Sequence, residues 1–257
     1  MMRPSNDFLL AVSYFTRLPV AGLVVYSGAG LSRAAAWFPF VGWLSAAAMV
    51  TVLLSVQWFL PSALAVLLAM LAGVLITGAF HEDGLADTGD GFGPVADRDQ
   101  ALAAMKDARL GVFGLLTLLF VLGGKYLSLS SVAVMPEAAI MILVAQPLSR
   151  LPSVWVIARQ DYVSQSASRA RAVAEAVPRA GWLIAAPAAL VPLFFFFPWH
   201  QALMVLLLLF LLTAGFSQLC QARFGGYTGD TLGALQQLSE LLILITLLVF
   251  LTLGDAA

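Results

Sequence analysis

The sequence is short of charge. Only 11% of its 257 residues are Asp, Glu, Lys or Arg, where a soluble domain carries roughly 25%. Hydrophobic residues make up 61% and mean hydropathy is +0.94, so an ordinary soluble domain is excluded and a polytopic membrane protein is expected. Cysteine is nearly absent: Cys220 stands alone, which excludes a disulfide and a cysteine-based metal site. The N-terminal Met-Met-Arg-Pro-Ser-Asn-Asp lacks a long apolar core before a small-residue cleavage site, so no cleaved signal peptide is expected. No internal repeat, low-complexity tail or linker interrupts the chain, which argues for one all-α transmembrane catalytic domain over 1–257. A formal net charge of −1 identifies no partner beyond the lipid bilayer; no nucleic acid is expected, and a homo-oligomer is left open.

What is present is a series of apolar runs. Residues 8 to 26 are broken by Arg17, Pro19 and Gly22 and read as an amphipathic or re-entrant helix at one membrane face. Arg17, an odd charge in that setting, is a candidate for facing an anion. Seven spans are then expected, at about Ala34–Leu60, Ala63–Phe80, Leu110–Met135, Ala138–Ala158, Gly181–Phe197, Gln201–Leu219 and Leu238–Leu253. Lys125 falls inside the third, where a lysine is costly and is expected to face protein. With these boundaries every long charged loop lies on one side, and all thirteen Lys and Arg but Lys125 lie in or near that set. By the positive-inside rule that face is expected to be cytoplasmic, and a cell (inner) membrane location is expected.

The chain is organised around residues 80 to 93, Phe-His-Glu-Asp-Gly-Leu-Ala-Asp-Thr-Gly-Asp-Gly-Phe-Gly, at the end of the second span. If helical, it places Asp83, Asp87 and Asp90 at i, i+4 and i+7 on one face. Three carboxylates on one face repel each other unless a cation lies between them, and hard oxygen donors suit Mg2+ or Mn2+ better than zinc. On the same side lie Lys106, Asp107 and Arg109, four arginines between Arg159 and Arg179, and Gly225-Gly226-Tyr227-Thr228-Gly229-Asp230. Arg150 sits towards the end of the fourth span. Carboxylates, glycine-rich loops and arginines at one face are what a phosphate-bearing substrate needs. A cation-coupled transporter is the alternative of a different class, but its acids are expected near mid-membrane on paired broken helices. No such pairing is visible here.

At these residues a family resemblance enters. His81 to Gly93 resembles the signature of the cobalamin synthases, the adenosylcobinamide-GDP ribazoletransferases. Met105-Lys106-Asp107 with Gly111-Val112-Phe113-Gly114, the 225–230 loop with Gly233-Ala234 and Glu240, and Phe15-Thr16-Arg17-Leu18-Pro19 are similar to further family elements in the same order. The resemblance covers essentially the whole chain and implies a Mg2+-dependent transfer. The 3'-hydroxyl of α-ribazole, or of its 5'-phosphate, attacks the phosphate of adenosylcobinamide-GDP that bears the aminopropanol group, and GMP leaves. It implies metal ligands among Asp83, Asp87 and Asp90, with Glu82 as an outer or occasional one and Asp107 or Asp230 completing a second site. Asp90 or His81 is the implied general base. Lys106, Arg109, Arg150, Gly225, Gly226, Thr228 and Gly229 are the candidates for holding diphosphate and nucleotide. The CDP-alcohol phosphotransferases of lipid synthesis are the competing enzyme class, but Asp87 stands where their pattern has an arginine.

Overall fold

A computed structural model describes residues 4–94, 97–132, 135–163 and 181–254. Within these the chain is helical: α1 (Pro4–Phe15), α2 (Gly28–Ala34), α3 (Phe38–Val56), α4 (Ser62–Thr77), α5 (Phe80–Gly91), α6 (Arg98–Ala104), α7 (Val112–Ser130), α8 (Met135–Leu148), α9 (Leu151–Arg159), α10 (Trp182–Phe196), α11 (Trp199–Phe224) and α12 (Gly229–Gly254). The only extended pairing among the described residues is a single parallel bridge between Tyr162 and Tyr227. Arg169, Arg171 and Arg179 lie outside the described residues.

Five helical stretches are long and apolar enough to cross a bilayer: Ser32–Val56, Val112–Ser130, Pro136–Arg159, Trp199–Phe224 and Gly229–Thr252. A sixth crossing results if α4 and α5, which meet at 89°, count as one broken span. The seven expected spans all coincide with helices, but two are short. Helix α10 has 15 residues and α4 has 16, about 24 Å at most at ~1.5 Å per residue, against a hydrocarbon core of about 30 Å. The second expected span, drawn to Phe80, stops at Thr77 because Gly78 (φ +69°) and Ala79 (φ +60°) both turn left-handed. Gly78 takes this conformation without strain and ends the helix as a C-cap. Ala79, the one described non-glycine residue at positive φ, donates a hydrogen bond from its N–H to Val74 O at 3.0 Å.

The main core joins α3, α4, α7, α8, α10, α11 and α12 through Leu53, Val66, Leu129, Met141, Leu193, Val205 and Leu244, all buried. Leu67, Leu71, Leu119, Phe120, Leu207 and Phe210 point outward and exposed, as in a bundle solvated by acyl chains rather than water. A second core at the other end wraps α1 round the start of α3 and α9 through Leu10, Phe15, Phe38 and Val154. A bidentate pair from Arg33 to Asp7, at 2.7 and 2.9 Å, fastens α1 to α2. The stretch expected as one helix from 8 to 26 is thus an α-helix only to Phe15, followed by a single 3-10 turn at Ala21–Leu23. Beyond it Leu23, Val25 and Tyr26 are exposed.

Candidate active site

Helix α5 turns away from α4 by 89° and lies across the first turns of α7 and α12. Its buried side is His81, Leu85 and Thr88, spaced i, i+4 and i+7, with Leu85 packed among Val121, Ala234 and Leu238. The opposite side carries Asp83, exposed, and Asp87, half-buried. The helical register expected from the acid spacing is therefore the one observed. Contact with α12 is backbone to backbone. A Cβ added at Gly84 would lie 2.8 Å from Asp230 O and 3.0 Å from Asp230 Cα, so glycine here sets how near Asp230 comes to the acidic face.

The acids act on one another. Burial, then Asp230, Asp83 and Asp90 in that order, push the Asp87 carboxyl up to about 7. Neither the Asp83 nor the Asp87 carboxylate has a hydrogen bond or ion pair within the protein among the described residues. No three His, Cys, Asp or Glu side chains of the described set are gathered as a closed metal-ligand group. Asp83, Asp87 and Asp230 lie within electrostatic reach of each other, short of that closure.

Asp90 is placed differently from its two neighbours. Its carboxylate accepts from Gly111 N at 2.7 Å and Gly114 N at 2.8 Å, the open amides at the start of α7, where the helix dipole favours negative charge. Both oxygens thus already hold strong donors, and Asp90 ties α5 to α7. Asp90→Asn replaces one acceptor by an N–H that opposes an amide. A loss of about 1.5–3 kcal/mol is expected, read as a lowered thermal midpoint in detergent. At the C-terminal end of α5 the Arg223 guanidinium donates to Gly91 O and Gly93 O at 3.1 and 3.0 Å. The sequence offered no signal for this clamp beyond a cation at a span end.

His81 is 4% exposed, and neither ring nitrogen has a hydrogen-bond partner. Burial, and then the charges of Arg150 and Lys125, hold its pKa well below the usual histidine value. It is a neutral imidazole between Phe15 and the bundle interior, one ring 6.4 Å from the other.

The other expected site residues divide into two groups. Lys106 is exposed near the acids, and its charge reaches Asp230. Gly225 and Gly226, at φ +79° and +153°, fold the 225–230 loop back beside the α5 end. Arg98, absent from the sequence-based candidates, lies against Gly225. Thr228 caps α12, its hydroxyl accepting from Thr231 N at 3.2 Å while Thr231 Oγ1 accepts from Thr228 N at 2.8 Å. Gly229 is the first residue of that helix.

Asp107 and Arg109 pair with each other at 2.7 Å, both exposed, and the Arg109 hydrogen bonds hold Asp107 at about 2. Arg150 and Glu82 point the other way. Arg150 is 2% exposed and bonds Gln146 inside the bundle. Glu82 accepts from Gln237 Nε2 at 3.0 Å. Structure thus gathers Asp83, Asp87, Asp230, Lys106 and the 225–230 loop at one face, with Asp90 anchored beneath them.

A family model described as cobalamin-5-phosphate synthase matches residues 7–248. The chain is similar to proteins named adenosylcobinamide-GDP ribazoletransferase from several bacteria. Identity is 38% with that of Shewanella amazonensis, covering 94% of each chain. It is 37% with that of Vibrio cholerae, covering 95% of this chain and 94% of the relative. With the Ralstonia pickettii protein it is 40%, covering 94% of each. No solved structure matches.

Proposed function

Because this chain belongs to the cobalamin-5-phosphate synthase family, we propose that the acidic face of α5 is the centre at which it transfers a phosphoalcohol to a ribazole. The chain is an enzyme, an adenosylcobinamide-GDP ribazoletransferase of the last step of cobalamin biosynthesis. The finer assignments rest on the site. Its substrates are adenosylcobinamide-GDP and α-ribazole or α-ribazole 5'-phosphate, the products adenosylcobalamin or its 5'-phosphate and GMP. The single observation that carries the assignment of the site is the convergence of Asp83, Asp87 and Asp230, with Asp87 raised to about 7 by its neighbours. Such a group of hard oxygen donors has more negative charge than its protein surroundings offset, and so suits a divalent cation.

Asp83, Asp87 and Asp230 are the residues that would hold Mg2+ or Mn2+. A divalent ion held there would supply positive charge to offset the charge that develops on oxygens during phosphoryl transfer. The chain's own part is to bind and orient. Lys106 and Arg98 face the diphosphate, Arg98 lying against Gly225, where a side chain would displace its guanidinium. Asp90, with both oxygens held by the α7 amides, keeps the acidic helix at a fixed distance from the substrate. A carboxylate of this face not engaged by the ion takes the proton of the ribose 3'-hydroxyl. His81, neutral and unpaired, lies on the opposite, buried side of α5.

Taking α4 and α10 as crossings too gives seven spans. Then α5, the 97–111 loop, 160–163 and the 225–228 turn all share one face, the cytoplasmic face of the inner membrane.

The test is GMP release by purified protein in nanodiscs, given adenosylcobinamide-GDP and α-ribazole with Mg2+ or EDTA. Release that requires Mg2+ is expected; a folded protein that instead turns over a CDP-alcohol would overturn the reading. The pH dependence follows in sign. Asp87 at about 7 must lose its proton to bind the ion, so the apparent Mg2+ affinity falls up to ~10-fold per pH unit below 7 and levels off above it. In EDTA the raised carboxyl makes the fold lose stability as pH climbs from about 4, the unfolded value, to about 7. Thermal midpoints across that range check it.

A further inference from the structure

Beneath α5 lies a polar network in the apolar bundle. Lys125 of α7 is 4% exposed and Glu240 of α12 is 2% exposed, with Lys125 Nζ 2.9 Å from Glu240 Oε1. The Lys125 ammonium also donates to Gln237 Oε1 at 2.8 Å. Gln237 Nε2 donates to Glu82 Oε1 at 3.0 Å. From the other side Gln146 and Gln236 donate to the two Glu240 oxygens at 2.7 and 3.0 Å. A small cavity borders the network, lined by Thr77, His81, Glu82, Lys125, Arg150 and Glu240 among others. Glu82 Oε2 and Arg150 Nε are buried there without partners.

Charged groups at this depth are expensive, and a buried ion pair is often replaced by apolar residues without loss of stability. The network is therefore poorly explained as a stabiliser. Its geometry gives another reason. An amide side chain has one accepting and one donating end, and only its partners decide which end faces where. Because Lys125 occupies the Gln237 oxygen, the Gln237 N–H2 must face Glu82. Glu240 in turn holds Lys125, and is itself held by Gln146 and Gln236. The chain of bonds thus ends on the residue next to Asp83.

We propose that Lys125 and Glu240 are positioning residues for the transfer: through Gln237 they lock Glu82, and so the rotation of α5 that turns Asp83 and Asp87 towards Asp230. Glu82 on this view serves the acidic site from behind. The proposal rests on the acidic face being the metal and transfer site.

The test removes both charges at once, in Lys125→Met/Glu240→Leu, so that neither is left buried alone. Thermal unfolding, Mn2+ binding followed by EPR titration, and the kcat and KM of GMP release are measured in nanodiscs. The double variant is expected to unfold within a few degrees of wild type. Its Mn2+ half-saturation should rise about tenfold or more, the scale on which residues orienting metal ligands act. The kcat should fall by a similar factor while KM for α-ribazole stays unchanged. Lys125→Arg, which keeps a donor to Gln237, should restore most of the Mn2+ affinity. If the double variant does not fold, Gln237→Leu leaves the Lys125–Glu240 pair in place but removes the Gln237 bonds to Lys125, Gln236 and Glu82, and should show the same Mn2+ shift. A folded double variant, or Gln237→Leu, with wild-type Mn2+ affinity and kcat overturns the proposal. Wild type that binds Mn2+ without releasing GMP refutes the transfer and leaves the positioning to be judged on Mn2+ binding. Wild type that does neither overturns both.

Discussion

Asp87→Asn removes metal-dependent GMP release, with kcat falling about 10³-fold, the upper range for loss of one preorganised electrostatic group. Asp87 is the carboxylate on which the others converge. Burial comes first among the causes of its raised pKa, and Asp230, Asp83 and Asp90 follow. An asparagine fills the same volume but supplies no negative charge to hold the ion. The same substitution has the opposite sign on stability. Above about pH 7 the wild-type carboxylate is ionised against its neighbours, which destabilises the metal-free fold. In EDTA at about pH 8 the variant is therefore expected to unfold at or above the wild-type temperature. In saturating Mg2+ the order reverses, because wild type gains the free energy of binding and the variant gains little. A variant that loses activity and also unfolds earlier in EDTA would indicate a structural carboxylate instead.

Gly84→Val displaces α5 from α12. The added Cβ meets Asp230 O and Cα at 2.8 and 3.0 Å, and both are main-chain atoms of a packed helix that cannot swing aside. Overpacking of this kind costs about 1–3 kcal/mol. Function suffers more, since a displacement of about 1 Å between acting groups can cost ~10²-fold in rate. The expected result is a moderately lowered thermal midpoint with GMP release reduced about 100-fold, and with Gly84→Ala in between. Normal turnover in a folded Gly84→Val protein would show that the α5 to α12 spacing is immaterial, and with it the pairing of Asp83 and Asp87 with Asp230.

The parts legible in the sequence are those written by local periodicity. Apolar runs marked each long helix, because a bilayer demands about 20 apolar residues and a helix to satisfy its backbone. Spacing alone put Asp83 and Asp87 on one face, since 3.6 residues per turn is a local property. The depth of Lys125 also carried its meaning directly: it had to face protein, and it faces Glu240 and Gln237. Composition could not reveal that α4 ends short at two left-handed residues, nor that the following helix turns through 89°.

Other assignments depended on which elements meet. Asp83, Asp87 and Asp90 look equivalent in a string of letters, yet only Asp90 meets the open amides of α7. Arg150 and Glu82 read as site residues by type and position, but point into the bundle because Gln146 and Gln237 offer partners there. By itself, then, the sequence determined the membrane-spanning helical class, the acidic helix and its register, and the family. Tertiary structure alone decided which carboxylates stand free, which are anchored and which are held from behind. Register follows from neighbours along the chain, whereas the fate of a charge follows from the donors that packing brings to it.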